Sequence, residues 1–328
     1  HASVTNWVGG AISTKPTLPN TIENKIASVV NTTYNGKTAL TYVYIQSNAV
    51  FPNQMVSFFN GCSNLTGVSQ IPNSITNMYY TFRNCSSLVN VPVIPNSVTN
   101  MSRTFYSCSR LVNAPVIPNS VTDMYYTFYS CSNLVNAPVI PNSVTNMSYT
   151  FASCSRLVNA PVIPNSVTDM YSTFDSCSRL VNAPVIPNSV TNMSYTFSYC
   201  TNLVNAPVIG NSVTNMISTF VSCSRLVNAP VIPNSVTNMY STFYSCSNLV
   251  NAPVIGNSVT NMIYTFGSCS NLIGDITLVN ANVTNLTSCF YGTNASKPKT
   301  LYVPAGSATY TLAMAQCDGK NGVTVVPY

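Results

Sequence analysis

The chain alternates between two hydrophobic patterns, and the pair of patterns returns every 23 residues, so we call each 23-residue unit a coil. In one coil, Leu111, Ala114 and Val116 have the spacing of a short strand with one buried face. Pro115 and Pro118 limit that strand, because proline has no N–H to donate to a ladder. The first half of a coil is therefore predicted to be a short strand.

The second half of the coil has a helical spacing. Val121, Met124, Phe128 and Cys131 are separated by 3, 4 and 3 residues, which places them on one face of a helix. Thr122, or the residue after it, stands where an N-cap is expected. Because Thr, Tyr and Ser are indifferent helix formers, one or two turns of α or 3₁₀ type are predicted rather than a long helix.

The apolar residues of the coil form columns along the repeat region. The cysteine column, with a step of 23 residues throughout, consists of Cys62, Cys85, Cys108, Cys131, Cys154, Cys177, Cys200, Cys223, Cys246 and Cys269. A fixed period of this size is typical of a solenoid, because one coil buries its apolar side only against its neighbours. The sequence predicts an α/β solenoid of about ten coils, with a parallel sheet on one face and short helical or 3₁₀ turns on the other.

The two ends of the chain lack the repeat. We divide the chain into an N-terminal cap over residues 1–41, a solenoid over residues 42–293 and a C-terminal capping segment over residues 294–328. The elements predicted at the ends are a short helix over 22–30, strands over 41–45, 301–303 and 323–326, and a helix over 310–316. Such segments are expected because the first and last coils of a solenoid expose a core edge.

The coil also resembles a known family of repeats. Its first half, Leu111-x-x-Ala-x-Val-x-x-Asn-x-Val, matches the leucine-rich-repeat core. The continuation, Val-Thr-Asp-Met-x-x-Thr-Phe-x-x-Cys-x-x-Leu, resembles the bacterial BspA-like, or Treponema-type, repeats over residues 42–293. Ala at the fourth position and Thr before Phe depart from the family pattern. The resemblance implies a leucine-rich-repeat solenoid from a bacterial surface or phage-encoded protein that adheres to host molecules or cells.

Asn at the ninth position of the coil is the main polar column. Its members are Asn96, Asn119, Asn142, Asn165, Asn188, Asn211, Asn234 and Asn257. A buried amide in each coil would bond to backbone groups of adjacent coils, and this is the favoured interpretation. Asn in a surface turn is the alternative.

Charge and hydropathy exclude several classes of protein. Charged residues are 5% of the chain, against about 25% in ordinary proteins. The net charge of +6 is not clustered along the sequence, which argues against a nucleic-acid partner. No run of about 18 apolar residues is present, so no membrane span is predicted. The chain begins at His1 with no visible signal peptide, which indicates either a processed end or one introduced for expression, and removal of a secretion signal stays open.

The cysteine column is interpreted as a ladder of inert thiols. Each of its members occupies a place on the apolar stripe, where a thiol behaves as a small hydrophobe. Parallel Cβ vectors in adjacent coils would not suit a disulfide. Cys289 and Cys317 lie outside the column, and a bond between them is the open alternative. No clustered Cys and His ligands indicate a metal site.

Catalytic groups are scarce. His1 is the single histidine. Asp169 and Asp175 are close in sequence, but other coils replace both acids with uncharged residues, so we interpret them as surface variation. Without a base, a metal cluster or a phosphate-binding glycine loop, the chain is predicted to be neither an enzyme nor a cofactor-binding protein.

Variation between coils points to a binding surface. Leu, Val, Pro, Met, Phe and Cys barely change, whereas the positions after Met, after Phe and before Leu vary and hold Tyr and Arg, which are favoured contact residues. The candidate binding residues are Tyr79, Tyr80, Arg103, Tyr106, Arg110, Tyr125, Tyr126, Tyr129, Tyr149, Arg156, Tyr171, Arg179, Tyr195, Tyr199, Arg225, Tyr240, Tyr244 and Tyr264. Drift on a solvated convex side is the alternative.

Two other surfaces carry alternative functions. Val112, Asn113 and Pro115 are predicted to point outward, and a strip of Val and Pro in every coil would suit a repetitive ligand or self-association. Thr104 and Thr122 with their copies form hydroxyl columns that could bind ice, a distant third hypothesis. The leading hypothesis is an extracellular or cell-surface scaffold for a host protein or glycan. The second is a self-associating spacer of a phage tail or cell surface.

Overall fold

Successive coils stack on one another within each of two units, residues 1–157 and 158–328. The structure is a computed structural model, and it describes residues 12–14, 23–26, 34–45, 51–279 and 282–328. In both units, backbone hydrogen bonds join each described coil to the next, as from Thr122 N–H to the carbonyl of Thr99 and from Thr214 N–H to that of Thr191. The repeat therefore forms a solenoid, as the 23-residue period predicts.

The apolar columns form the core of both units. Met124, Phe128, Cys131 and their equivalents from Met78 to Cys269 are 0% exposed. Neighbouring Phe rings of the first unit are 5.5–5.7 Å apart with interplanar angles of 2–11°. In the second unit the spacing is again 5.5–5.7 Å, with angles of 3–13°. Each coil thus contributes one ring to an aromatic stack inside its unit.

The second half of each coil is a series of turns rather than a helix. In one coil, Thr127 N–H donates to the carbonyl of Met124, and Cys131 N–H donates to that of Phe128. Tyr126 and Ser130 both have φ of 55°, in the left-handed region. Their N–H groups donate to carbonyls of the next coil, at Ser148 and Ala152. The predicted short turns therefore form with i→i+3 bonds of 3₁₀ type, and the bonds between coils keep them from continuing into a regular helix.

The predicted sheet face is reduced to isolated bridges in the central coils. Asn113 pairs in parallel with Asn136 in the first unit, and Asn182 pairs with Asn205 in the second. Prolines such as Pro115 follow closely and end the ladder, as expected from their missing N–H. Parallel pairing is confirmed, while continuous strands are confined to the ends.

Four strands form the sheet of the first unit. They are β1 (Ile12–Thr14), β2 (Glu23–Ile26), β3 (Tyr42–Ile45) and β4 (Gly67–Val68), in that order. β1 and β2 are antiparallel, and the other two pairs are parallel. The strand predicted at 41–45 is confirmed as β3. The helix predicted over 22–30 is wrong at 23–26, because pairing with β3 holds those residues extended, and its remainder lies outside the described residues.

The second unit ends in three parallel strands and one helix. The elements are β5 (Gly274–Thr277), β6 (Lys299–Val303), α1 (Ala308–Gln316) and β7 (Val323–Pro327). The Ser307 side chain caps α1 by accepting the N–H of Tyr310. The strands predicted at 301–303 and 323–326 and the helix at 310–316 are confirmed with small shifts of boundary. In the described part of the chain, no helix combines the length and hydropathy that a bilayer crossing requires.

Candidate binding surface

The turn after each Met places one residue in a left-handed conformation and in the same column of every coil. In the first unit, the residues of this column include Tyr80, Arg103, Tyr126 and Tyr149, with φ between 55° and 58°. Large side chains seldom adopt this region, at a cost on the order of 1–2 kcal/mol per residue. The backbone N–H of a residue in this column donates to a carbonyl of the next coil, as Arg103 N–H does to that of Tyr125. This hydrogen bond offsets the conformational cost and aligns the side chains along the solenoid.

Tyrosine rings of the first unit gather into one cluster. The Tyr126 and Tyr149 rings stack at 4.1 Å with an interplanar angle of 12°. Tyr106 and Tyr129, from the column after Phe, stack at 4.6 Å, and Tyr126 joins them at 5.2 Å from Tyr129. Tyr125 meets Tyr126 edge to face at 4.5 Å. All five side chains are half-buried, so part of each reaches solvent.

Two arginines lie within this cluster. The Arg103 guanidinium carbon is 4.8 Å from the Tyr125 ring centroid and 5.1 Å from that of Tyr126, and Arg103 Nη1 donates to the Tyr79 hydroxyl at 2.8 Å. Arg83 lies 5.3 Å from the Tyr106 centroid. Arg83 is absent from the candidates taken from the sequence, although it occupies the variable column after Phe. The basic residues that look scattered in the sequence are therefore brought together by the fold.

Burial and hydrogen bonding raise the pKa of two phenols of the cluster, Tyr80 and Tyr126. A side-chain hydrogen bond with Tyr79, together with burial, raises the pKa of Tyr80. Burial raises the pKa of Tyr126. Since neither ring contributes negative charge, the arginines give the cluster a net positive charge.

Tyrosines of the second unit form smaller groups. Tyr171 and Tyr195 are 5.5 Å apart. Tyr264 lies 6.5 Å from Tyr240 and 6.1 Å from Tyr244, in both cases edge to face. Tyr199, which is 53% exposed, lies in the left-handed column before Cys. Every candidate tyrosine thus reaches solvent at least in part, but the dense cluster belongs to the first unit.

The arginines before Leu form a separate, exposed column. Arg110 and Arg156 of the first unit and Arg179 and Arg225 of the second are all exposed. Arg156 Nη1 donates to the Asn133 side chain at 3.1 Å. Within the described residues, the cations that stack on tyrosine rings are Arg83 and Arg103, not members of this column.

The most exposed apolar column is one that the strand pattern assigned to the core. Val116 is 84% exposed and Ile117 is 5% exposed, because the chain bends at the prolines and the strand alternation ends before Val116. The equivalent valines, which we call the valine ridge, are Val93, Val116 and Val139 in the first unit and Val162, Val185, Val208, Val231 and Val254 in the second. The predicted outward Val112 is 42% exposed and Pro115 is half-buried, so this strip is real but less prominent than the ridge.

Shallow apolar grooves separate ridge valines in the second unit. One groove of about 450 Å³ is lined by Val231, Val254, Val279 and the prolines beside them. A second groove, of about 320 Å³, lies at Val162 and Val185. The ridge thus carries an apolar groove at two places in this unit.

All twelve cysteines are free and buried. Cys131 Sγ donates to the carbonyl of Phe105 at 3.1 Å, and Cys223 Sγ donates to that of Phe197 at the same distance. Burial raises the pKa of Cys62 to about 11 and that of Cys269 to about 12, so the thiolate is disfavoured. These facts match the predicted inert ladder. Cys289 and Cys317, for which a bond was the alternative, are also free.

Two polar columns differ from expectation. The ninth-position asparagines, from Asn96 to Asn257, are exposed, so the buried amide ladder is wrong and the surface turn is correct. One exposed member still bonds to the adjacent coil, since Asn188 Oδ1 accepts the N–H of Asn211, and the residue before Met makes a local bond, as where Asp123 Oδ1 accepts the N–H of Tyr125. The Thr104 column is 0% exposed and bonds to the backbone, so its hydroxyls are not available to bind ice.

Acidic residues do not assemble into a site. Asp169 Oδ1 accepts the N–H of Tyr171 in a turn, and Asp175 Oδ1 accepts a hydrogen bond from Ser176. Burial raises the pKa of Asp175. Across the described ranges, no group of three or more His, Cys, Asp or Glu side chains is arranged to hold a metal ion.

Three features define a leucine-rich-repeat protein here. The coils stack in parallel, the repeated sequence has buried leucines and exposed asparagines, and the outer columns vary. The family model described as "BspA type Leucine rich repeat region (6 copies)" matches residues 18–135, 53–181, 124–250 and 194–303. The chain belongs to this BspA-type leucine-rich-repeat family. The resemblance drawn from the coil pattern is confirmed.

Solved structures similar to this chain are bacterial leucine-rich-repeat proteins. A leucine-rich repeat protein from Bacteroides ovatus is 19% identical with a TM-score of 0.58, over 99% of this chain and 100% of that one, and it supports the fold. A Treponema pallidum leucine-rich repeat protein is 22% identical, with a TM-score of 0.45 over 62% and 92% of the two chains. A leucine-rich cell surface protein from Faecalibacterium prausnitzii is 18% identical, with a TM-score of 0.47 over 100% and 95%. No curated protein matches the chain.

Proposed function

We propose that this chain is a non-catalytic binding scaffold, extracellular or on a cell surface, that recognises a host-cell protein or glycan through its tyrosine and arginine columns. The observation that carries the proposal is the cluster in the first unit, where Tyr106 and Tyr126 stack with arginines and Tyr149 stacks on Tyr126, on an otherwise uniform scaffold. Tyr and Arg are the residue types that dominate binding hot spots.

Backbone conformation supports the same proposal. Tyr80, Arg103, Tyr126 and Tyr149 occupy left-handed positions that Ser occupies in other coils, such as Ser172 and Ser218. A bulky side chain in this region costs more than a small one, so folding stability alone does not favour Tyr there. Contact with a partner is a function that would retain the rings at these positions.

Binding of the labelled full chain to host cells and to protein and glycan arrays tests this proposal. Replacing Tyr106, Tyr126 and Tyr149 together with Ala should weaken binding at least about tenfold, because these three rings make up the centre of the surface. Tyr310→Ala, on α1 and outside the surface, is the matched control and should bind as the parent does. Undiminished binding by the triple variant would reject this face.

Self-association through the valine ridge is the second candidate. It is favoured by the exposure of Val231 at 87% and Val254 at 62%, and by the groove of about 450 Å³ between them. A surface with both an apolar ridge and apolar grooves is complementary to a second copy of itself. Light scattering across concentration tests it, with Val231→Ser and Val254→Ser together expected to abolish any concentration-dependent rise in mass. A parent chain that stays monomeric at every concentration would refute this candidate.

A further inference from the structure

Arg83 and Arg103 share one aromatic ring. Their guanidinium carbons lie 5.2 Å and 5.4 Å from the centroid of Tyr80. Each also stacks on a second ring, Arg83 on Tyr106 at 5.3 Å and Arg103 on Tyr125 at 4.8 Å. The two cations are therefore held on neighbouring coils, no farther apart than the sum of their distances to Tyr80, and the rings fix their planes.

Most of the hydrogen-bonding capacity of this pair is unused. A guanidinium has five N–H donors, and Arg103 donates one of them to the Tyr79 hydroxyl. Arg83 Nε is buried with no acceptor. Within the described residues neither guanidinium has a carboxylate partner at ion-pair distance. Two ordered guanidinium groups without an internal anion form a site for an external one.

The wider charge distribution favours an anion. The first unit carries seven Lys and Arg residues against two acids, a net charge of +5, which leaves +1 for the second unit. Asp123, the acid nearest in sequence to the cluster, uses its Oδ1 to accept the N–H of Tyr125. Because the pKa values of Tyr80 and Tyr126 are raised, these two phenols add no negative charge, and the two arginines keep a positive potential at the surface.

The other groups of the cluster suit a sugar better than a protein side chain. The columns around the arginine pair hold Tyr, Ser and Ala and no Leu, Ile or Met; Tyr129 is half-buried, and Ser102 and Ala152 are buried. A protein partner gains most from an apolar anchor in a dry pocket, and such a pocket needs aliphatic walls. Half-buried tyrosine side chains would instead suit a sugar, since an aromatic ring can pack against its C–H side and a phenol hydroxyl can bond its polar edge.

We infer that Arg83 and Arg103, with the rings of Tyr80, Tyr106 and Tyr125, bind an acidic glycan through its carboxylate or sulfate groups. This inference rests on the proposed function, since it names the ligand of the same surface. Two guanidinium groups on adjacent coils would contact two acidic groups of one chain, and the tyrosine rings would stack on the sugars between them.

Titration of the full chain with three polysaccharides tests the inference. Heparin carries sulfate and carboxylate, hyaluronan carries carboxylate alone, and dextran is neutral. The parent should bind heparin or hyaluronan and not dextran, and the better of the two identifies the acidic group. Arg83→Gln with Arg103→Gln should weaken that binding at least about tenfold and reduce the salt dependence by about two ions. Lys25→Gln with Lys37→Gln removes the same charge from the same unit, at residues that the proposed surface does not include, and should change the affinity less than about twofold.

Each other outcome overturns the inference. Equal losses in the two double variants would mean that the charge of the unit, rather than the ring-stacked pair, attracts the polymer. Binding to dextran as strong as to the acidic polymers would mean that no anion is recognised. Binding of a tyrosine-sulfated peptide but of neither acidic polymer would make the ligand a protein. A chain that binds host cells through its tyrosines but binds no acidic polymer refutes this inference and leaves the proposed function intact.

Discussion

Buried threonines join each coil to the preceding one, and their removal should weaken the solenoid. Thr104, Thr127 and Thr150 are 0% exposed, and their Oγ1 atoms donate to the carbonyls of Met78, Met101 and Met124 at 2.8–2.9 Å. Valine has nearly the shape of threonine but no hydroxyl, so a Thr→Val change removes the bond and leaves the volume almost unchanged.

The expected loss follows from the count of bonds. Each acceptor carbonyl keeps a backbone donor after the change, so none is left wholly unsatisfied. The carbonyl of Met101, for example, still accepts the N–H of Thr104. One such hydrogen bond contributes about 1 kcal/mol net. Replacing Thr104, Thr127 and Thr150 together should therefore lower the free energy of unfolding by about 3 kcal/mol.

Urea unfolding followed by circular dichroism measures this effect. The matched control replaces Thr99, Thr122 and Thr145 with Val, since these are exposed and their Oγ1 contacts are 3.3–3.5 Å long. That control should remain within about 0.5 kcal/mol of the parent per site. A buried triple variant that unfolds at the same or a higher urea concentration would refute the role assigned to the threonine column.

Three further outcomes follow from the structure. The twelve free thiols should not react with a disulfide reagent in the native chain at pH 8, because burial raises their pKa values, for example that of Cys269 to about 12. All twelve should react in denaturant. Rapid reaction of the native chain would contradict the buried ladder. Asp175→Asn should raise the melting temperature at pH 7, because a carboxyl whose folded pKa is raised opposes folding once it is ionised. That gain should disappear as the pH falls below the usual carboxyl pKa of about 3.9, and a gain that persists there would count against burial as its cause. Gly210→Ala should destabilise the chain by about 1–3 kcal/mol, because a Cβ there would lie 2.5 Å from the carbonyl oxygen of Pro187. Thermal unfolding measures the effect. An unchanged transition would show that the backbone moves to accommodate the methyl group.

Prediction from the sequence succeeded where one coil repeats another. The spacing of Met124, Phe128 and Cys131 was enough to place all three in the core, because ten copies of one pattern leave a single way to share an interior. The same comparison identified the tyrosine columns, since variation within a uniform repeat marks the side chains that the core does not constrain. Arg83 was missed although the variable column after Phe contains it.

Prediction failed where neighbouring coils decide the backbone. Val116 was assigned to a buried strand face, but the prolines end the alternation and turn it outward at 84% exposure. The helical spacing between Val121 and Cys131 gives short turns rather than a regular helix, since Tyr126 and Ser130 donate their N–H groups to the next coil. A periodic pattern specifies which side chains are buried. It does not specify whether a backbone N–H donates to a carbonyl of its own coil or of the next one.

The sequence by itself determined the solenoid, its period and its core, because burial of a repeated apolar stripe depends on spacing alone. Only the tertiary structure decided which outer residues meet. Tyr80 is separated from Arg103 by a whole coil in the chain, yet the stacking of coils puts them 5.4 Å apart, ring centroid to guanidinium carbon. Side chains at the surface have few neighbours along the chain, so their contacts depend on left-handed turns and on bonds between coils that no local pattern encodes.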